Sequence, residues 1–370
     1  MKILVYFTFN YSLNVWLKSG TLEKELKFYN KIAEKYNIRF VFITYGDIQD
    51  EKLIQNYKYF EVLPLYKFYK YTENSLLKYI HSLMFPFKIK RMKTQFDLIK
   101  QNQLQGNWAS ILLKLITKKP LITRTGYDVL TFAKYENKSF IKIFFYKALT
   151  YISLRKSDLY TVTSKVDKNY LEKNFKYKNP IQVRPNWVII KNFKQKNDKK
   201  FISIGRLETQ KNFEYLIELF SEYNIEIDVY GDGSLKKDLA LKSKNKKANI
   251  NFLGNTSNEN IIDILNNNLF YISTSLFEGN PKTVLEAMSN GCVVIASKIP
   301  SHEELIDHQQ NGFLIDLDQK DNLNKIENLI YDKNLLKKIS KNAQKSVQKS
   351  NDIGLLVDME VEDYKSLIIN

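Results

Sequence analysis

The chain has 370 residues, more than a single hydrophobic core usually serves, so two α/β domains are expected. Its 44% hydrophobic and 14% aromatic content excludes wholesale disorder. The lone cysteine, Cys292, excludes an intramolecular disulfide or a multi-cysteine metal site, and His81, His302 and His308 are too few and too scattered for a metal constellation. The net charge of +17 is uneven. Residues 1–200 hold 38 Lys and Arg against 15 Asp and Glu, whereas residues 201–370 hold 19 against 25. Such asymmetry points to an anionic partner for the first half, although an AT-rich genome that favours Lys and Asn codons would produce the same surplus.

In chain order, Ile3–Phe7 reads as a buried parallel strand rather than a secretory leader, because no small-residue cleavage site follows it. Thr21–Lys35 has a helical pattern after a Ser19-Gly20 turn, and Phe40–Thr44, Leu121–Thr123 and Leu159–Thr163 read as further strands. Tyr66–Tyr71 and Leu83–Lys93 interleave aromatic, aliphatic and basic residues. That pattern suits an anionic membrane surface, or equally a helix that covers the N-terminal sheet. The most apolar stretch, Ile141–Leu154, is broken by Lys142 and Lys147, so no membrane span is expected. Pro185-Asn186 and the charged run Lys191–Lys200 set a domain boundary near residues 186–200.

In the second half the alternation is clearer. Strands are expected at Phe201–Gly205, Ile225–Tyr230, Ile250–Leu253, Leu269–Ser273, Val293–Ser297 and Phe313–Ile315. Helices fit at Phe213–Phe220, Glu259–Leu265 and Pro281–Ser289, with a helical tail from Leu335 onward. This βα order implies parallel sheets.

The string Phe277-Glu278-Gly279-Asn280-Pro281-Lys282-Thr283-Val284-Leu285-Glu286 carries the strongest chemical signal. Gly279 permits a close backbone approach, and Pro281 suits the first turn of a helix. The helix start would aim unpaired N–H groups at an anion. Glu286 suits vicinal hydroxyls such as those of a ribose, and Glu278 could hold a sugar. Two glutamates alone would more often be ordinary helix charges.

The whole string, however, resembles the E-x7-E motif of family 4 retaining glycosyltransferases, whose fold is GT-B. Gly205-Arg206-Leu207 followed by Lys211-Asn212 resembles the family's G-R-L and K-N pattern. Gly291–Ser297 and Asn311-Gly312-Phe313-Leu314 resemble its G-x-P-V strand and N-G-x-L turn, with Val293 where proline is common. Gly231-Asp232-Gly233 and Leu253-Gly254-Asn255 resemble turns that lie near the nucleotide base. The likeness is good over about residues 183–317 and loose in the N-terminal half.

The resemblance implies two Rossmann-like parallel-sheet domains facing each other across a cleft. Residues 1–185 would bind acceptor, residues 186–345 would bind the nucleotide sugar, and residues 346–370 would form a helix crossing back to the first domain. Arg206 and Lys211 would grip the donor diphosphate and, with Glu278, form the catalytic set. Gly20, Gly205, Asn255, Gly279, Asn280, Lys282, Thr283 and Glu286 would line the donor site. The family's N-terminal histidine has no evident counterpart. Arg124, Tyr127 and Asp128 stand as acceptor-binding candidates, with a structural ion pair the alternative for Arg124 and Asp128, and Gln103–Trp108 would border the same cleft.

The implied reaction moves a hexose-type sugar from a UDP- or GDP-sugar to a saccharide acceptor, lipid-linked, in cell-envelope polysaccharide assembly. It needs no metal and no cofactor, since the nucleotide sugar is a substrate. Same-face attack with retention is favoured over a covalent glycosyl-enzyme, which the sequence does not exclude. The expected location is the inner face of the plasma membrane, peripherally attached. The competing readings are a nucleic-acid-binding or nucleic-acid-modifying protein that uses the basic half, and a GT-B sugar-nucleotide epimerase.

Overall fold

The computed structural model describes residues 1–370 apart from 127–128, 136–137, 192–195, 197–199, 222, 224 and 369–370. It divides into two compact units, one of Met1–Arg184 with Leu356–Asn370 and one of Pro185–Leu355.

The first unit is built on a seven-stranded, all-parallel sheet of order β3-β2-β1-β4-β5-β6-β7. Its strands are β1 (Lys2–Tyr6), β2 (Arg39–Thr44), β3 (Phe60–Pro64), β4 (Leu98–Asn102), β5 (Leu121–Thr125), β6 (Leu159–Val162) and β7 (Ile181–Val183). The second unit carries a six-stranded parallel sheet of order β10-β9-β8-β11-β12-β13. Its strands are β8 (Phe201–Ile204), β9 (Ile227–Tyr230), β10 (Ile250–Gly254), β11 (Phe270–Ser273), β12 (Val293–Ser297) and β13 (Phe313–Ile315). Strands such as β12 are buried along their whole length, as expected where helices cover both faces of a sheet. This is the GT-B fold class.

The helices that flank the motif loops or shape the first unit are α1 (Leu22–Tyr36), α2 (Ser75–Arg91), α3 (Asn107–Thr117), α4 (Phe140–Lys156), α5 (Phe213–Leu219), α6 (Lys282–Ser289), α7 (Lys333–Asn351) and α8 (Ile353–Ile368). Most of the expected elements are present within two residues of their expected ends. Three strands, β3, β4 and β7, are not anticipated by the sequence pattern. In β4 the reason is chemical, for Leu98-Ile99-Lys100-Gln101-Asn102 carries three polar residues, and Lys100 and Gln101 are nonetheless buried.

Lys100 is neutralised from the far end of the chain. Its Nζ lies 2.5 Å from Glu360 Oε1 on α8, with side chains only 2% and 6% exposed, and it also faces the rings of Tyr29 and Tyr364. Burial pushes the Lys100 ammonium down, but Glu360 and Tyr29 together outweigh it and the group is held above its ordinary value. Burial would likewise raise the Glu360 carboxyl, and Lys100 and Arg124 pull it below. A second pair, Arg184 to Asp363 at 2.6 Å, ties the same helix to the end of β7. The buried residues Val357, Glu360, Val361 and Tyr364 form one i, i+3, i+4, i+7 face of α8. The last helix is thus part of the first unit's core, although the sequence between them builds the second unit.

Candidate active site

In each sheet the strand order reverses once, and the C-terminal strand ends at that reversal are where parallel α/β sheets bind ligands. In the second sheet the reversal falls between β8 and β11. The two motif-bearing loops, 205–212 and 274–281, leave those two strands.

The loops after β8, β9 and β10 are laced together by backbone bonds. The Gly205 N–H donates to Tyr230 O at 3.0 Å, the Leu207 N–H to Asp232 O at 3.0 Å, and the Gly231 N–H to Gly254 O at 2.8 Å. Gly231 has φ +142°, and a Cβ there would lie 1.9 Å from the Gly205 carbonyl oxygen. The G-x-G turn is therefore glycine because it presses against the Gly205-Arg206-Leu207 loop.

The loops after β8 and β11 are joined next to each other. The Leu276 N–H donates to Gln210 O at 2.9 Å, and the Thr274 hydroxyl lies 3.0 Å from Asn212 O. Their side chains form one chain of contacts. Arg206 Nη2 donates to Gln210 Oε1 at 3.2 Å. Gln210 Nε2 donates to Phe277 O at 2.9 Å and to Glu278 Oε2 at 3.2 Å. The other carboxylate oxygen, Glu278 Oε1, is paired with Lys211 Nζ and accepts from the Ser275 hydroxyl at 2.7 Å. Arg206 itself is exposed, whereas Gln210 is buried. The arrangement brings two cations and a carboxylate together at the open end of the sheet.

The same loop leads into α6, which begins at Lys282 with Pro281 as its N-cap. The helix thus starts one residue later than its sequence suggests. Gly279 is buried. Asn280 is committed to the protein, as its Oδ1 accepts the Asn186 N–H at 3.1 Å and its carbonyl accepts from Asn186 Nδ2 at 3.0 Å. Lys282 stands 5.7 Å from the centre of the Trp187 ring, and the Thr283 hydroxyl accepts from Tyr271 at 2.9 Å. Glu286 lies about one turn into α6, 8% exposed. Asn255 is exposed directly after β10.

The remaining sequence candidates lie in the first unit. Gly20 is not at the end of β1, because the helix Leu13–Lys18 intervenes and Gly20, at φ +70°, follows its C-cap Ser19. Its conformation closes a helix, so the glycine-loop role expected for it has no support in its position. Arg124 is on β5 and half-buried. Its charge bears on both Lys100 and Glu360. Tyr127 and Asp128 fall outside the described residues. At the first sheet's own reversal, between β1 and β4, the described residues make neutral contacts. The Thr8 hydroxyl donates to Asn102 O at 3.2 Å, the Phe9 N–H donates to Gln105 O at 3.0 Å, and Gln103 Oε1 accepts the Gly126 N–H at 2.9 Å.

Sequence reasoning overlooked Gln210, Ser275 and His302. Gln210 could have been found from its place beside Lys211 and four residues after Arg206. His302 offered no signal. It is fully buried, with Nδ1 2.7 Å from Ser297 O, which assigns the ring proton to Nδ1. Burial, opposed by the Ser297 carbonyl and by Glu278, drives it down to about 4. Among the described residues no helix is long and apolar enough to cross a membrane.

Residues 188–346 match the family described as glycosyl transferases group 1. The chain is 26% identical over 324 residues to the Escherichia coli UDP-Gal:alpha-D-GlcNAc-diphosphoundecaprenol alpha-1,3-galactosyltransferase, covering 80% of this chain and 82% of that one. It is 23% identical over 304 residues to a Campylobacter jejuni N-acetylgalactosamine-N,N'-diacetylbacillosaminyl-diphospho-undecaprenol 4-alpha-N-acetylgalactosaminyltransferase, covering 76% and 80%. Against an uncharacterized glycosyltransferase of Haemophilus influenzae it is 26% identical and spans 63% of that protein's length. In fold it is similar to Anabaena HepE in complex with UDP and glucose, with TM-score 0.76, 19% identity and coverage of 99% and 100%.

Proposed function

We propose that the chain, whose residues 188–346 match the glycosyl transferases group 1 family, moves a hexose-type sugar from a UDP- or GDP-sugar to a saccharide acceptor, with retention of configuration and without a metal. The observation that carries the reading is the Arg206–Gln210–Glu278–Lys211 chain at the switch point of the second sheet. When the donor's glycosidic bond breaks, negative charge builds on the departing diphosphate. Arg206 and Lys211 stabilise that charge, helped by the N–H groups at the start of α6. Glu278, held by Ser275 and Gln210, fixes the sugar. Glu286 accepts from the ribose hydroxyls, and Asn255 lies at the base. Gly205, Gly279, Asn280, Lys282 and Thr283 line the diphosphate with backbone and short side chains. The acceptor hydroxyl attacks from the leaving-group face, and the departing phosphate takes its proton.

On this reading residues 186–345 bind donor and residues 1–185 bind acceptor through Arg124, with residues 346–370 serving the first domain. The names of the E. coli and C. jejuni relatives, both referring to undecaprenol-linked saccharides, support a lipid-linked acceptor in cell-envelope glycan assembly. They also support a peripheral station on the inner face of the plasma membrane.

Calorimetry with a panel of UDP- and GDP-sugars tests the donor site. One nucleotide sugar should bind, Glu286→Ala should weaken it, and Glu278→Gln should lose about 10²–10³-fold in transfer rate while still binding the nucleotide. Glu286→Ala binding as tightly as the parent protein would refute the donor assignment.

A further inference from the structure

Helices α2, α3 and α4 pack side by side, with Trp108 of α3 as the common neighbour. Its Nε1 donates to Ser82 of α2 at 2.6 Å, and its ring lies 5.3 Å from Tyr79 of α2 and 6.1 Å from Phe145 of α4. Two features set this layer apart. The three helices contain nine Lys and Arg and no Asp or Glu. In addition, α2 and α4 are apolar on both faces. The inner face of α2 buries Phe85, Pro86 and Ile89, yet Leu76, Ile80, Leu83, Met84 and Phe87 form a second, solvent-facing stripe at i, i+4, i+7, i+8 and i+11. On α4 the buried positions are Leu149, Thr150, Ser153 and Leu154. Meanwhile Phe140, Ile141 and Phe144 stand 80%, 79% and 63% exposed. A helix hydrophobic all round is normally enclosed, and a contiguous exposed apolar patch ringed by one sign of charge marks a partner.

The occupant follows from chemistry. A second copy of the same face would bring nine cations against nine with no anion between them, which is repulsive. A single-stranded nucleic acid would need stacking platforms, and aliphatic side chains such as Leu76, Ile80, Leu83 and Ile141 are not platforms. Exposed aliphatic and aromatic side chains on helices whose only charges are Lys and Arg match the boundary of an anionic bilayer, where apolar tips enter the acyl region and cations meet headgroups.

We propose that the face formed by α2 and the start of α4 docks on an anionic lipid surface, with Phe140, Ile141 and Phe144 as its inserting residues. This rests on the proposed peripheral membrane station; it keeps the Leu83–Arg91 part of α2 and shifts the rest of the contact surface to Leu76, Ile80 and the start of α4. Sequence pattern points to Tyr66–Tyr71 and Leu83–Lys93. Of these, Tyr66, Phe68 and Tyr69 pack against the core of the first unit, so that stretch is largely spent on folding.

The test is co-sedimentation of the full chain with phosphatidylcholine vesicles, with and without phosphatidylglycerol, at low and high salt. The parent protein should bind the phosphatidylglycerol vesicles only, and more weakly at high salt. The combined Phe140→Ser, Ile141→Ser and Phe144→Ser variant should lose about tenfold or more in partitioning, with nucleotide-sugar binding unchanged. Leu241→Ser with Leu253→Ser, exposed positions of the second unit, should bind like the parent. If the triple variant sediments as well as the parent, the docking face is wrong while membrane binding stands. If the parent ignores phosphatidylglycerol, both readings fall. Oligonucleotide binding that the triple variant abolishes would replace the lipid with a nucleic acid.

Discussion

The two sheets reverse their strand order in the same way, but they spend charge differently. At the second sheet's reversal the charged side chains are brought to the open strand ends, where Arg206, Lys211 and Glu278 are linked through Gln210. At the first sheet's reversal the contacts are amide, hydroxyl and backbone, and the strong ion pairs, Lys100–Glu360 and Arg184–Asp363, lie buried against α8. One unit gathers charge at its open strand ends and the other buries it against its last helix. A charged residue in a parallel strand is therefore no guide to function until its partner is known.

Three perturbations sharpen this contrast. The largest effect is expected from Lys100→Met. It strands the Glu360 carboxylate in the core and should cost the first unit about 3–5 kcal/mol, seen as a fall in Tm with nucleotide-sugar affinity retained. A double substitution, Lys100→Met with Glu360→Leu, should recover much of the loss. If the single substitution left Tm unchanged, the pair would not be a structural lock.

His302 comes next and acts on the second unit. In the unfolded chain it takes a proton below its ordinary value of 6.5, and in the folded chain only below about 4. The unfolded state therefore binds more protons between these values, and stability must fall as pH drops through that window, by roughly 3 kcal/mol in all. Chemical denaturation at stepped pH would measure it, and His302→Leu should flatten the slope. An unchanged slope would show that other groups carry it.

The smallest effect is expected for Asn280→Ala. Losing its hydrogen bond with the Asn186 N–H should cost about 0.5–1.5 kcal/mol of stability and weaken donor binding modestly. Loss of donor binding with unchanged stability would mean that Asn280 serves the ligand rather than the loop.

From its sequence, the chain's second half could be read almost element by element. Strands such as Val293–Ser297 are uninterrupted apolar runs, and glycines at Gly205, Gly231 and Gly254 punctuate their ends. The E-x7-E string is local, so a linear pattern suffices to find Glu278 and Glu286. That Arg206, Lys211 and Glu278 share one network was suggested by resemblance alone, because 67 residues separate the last two. The buried Gln210 in the middle went unnoticed. In the first half, Leu98–Asn102 concealed a central strand, since Lys100 looks like a surface residue unless Glu360 is beside it. Nothing in the sequence pattern marks Phe140 and Ile141 as exposed, yet the folded chain leaves them in solvent.

Alternation of apolar runs and glycine-punctuated strand ends are one-dimensional properties, and they were enough to read the parallel α/β class and the position of the motif loops. Which charges are buried, which apolar side chains stay exposed and which glycine ends a helix instead of a strand were decided by tertiary structure. Burial and pairing depend on residues far apart along the chain, and only the packed sheets bring them within contact distance.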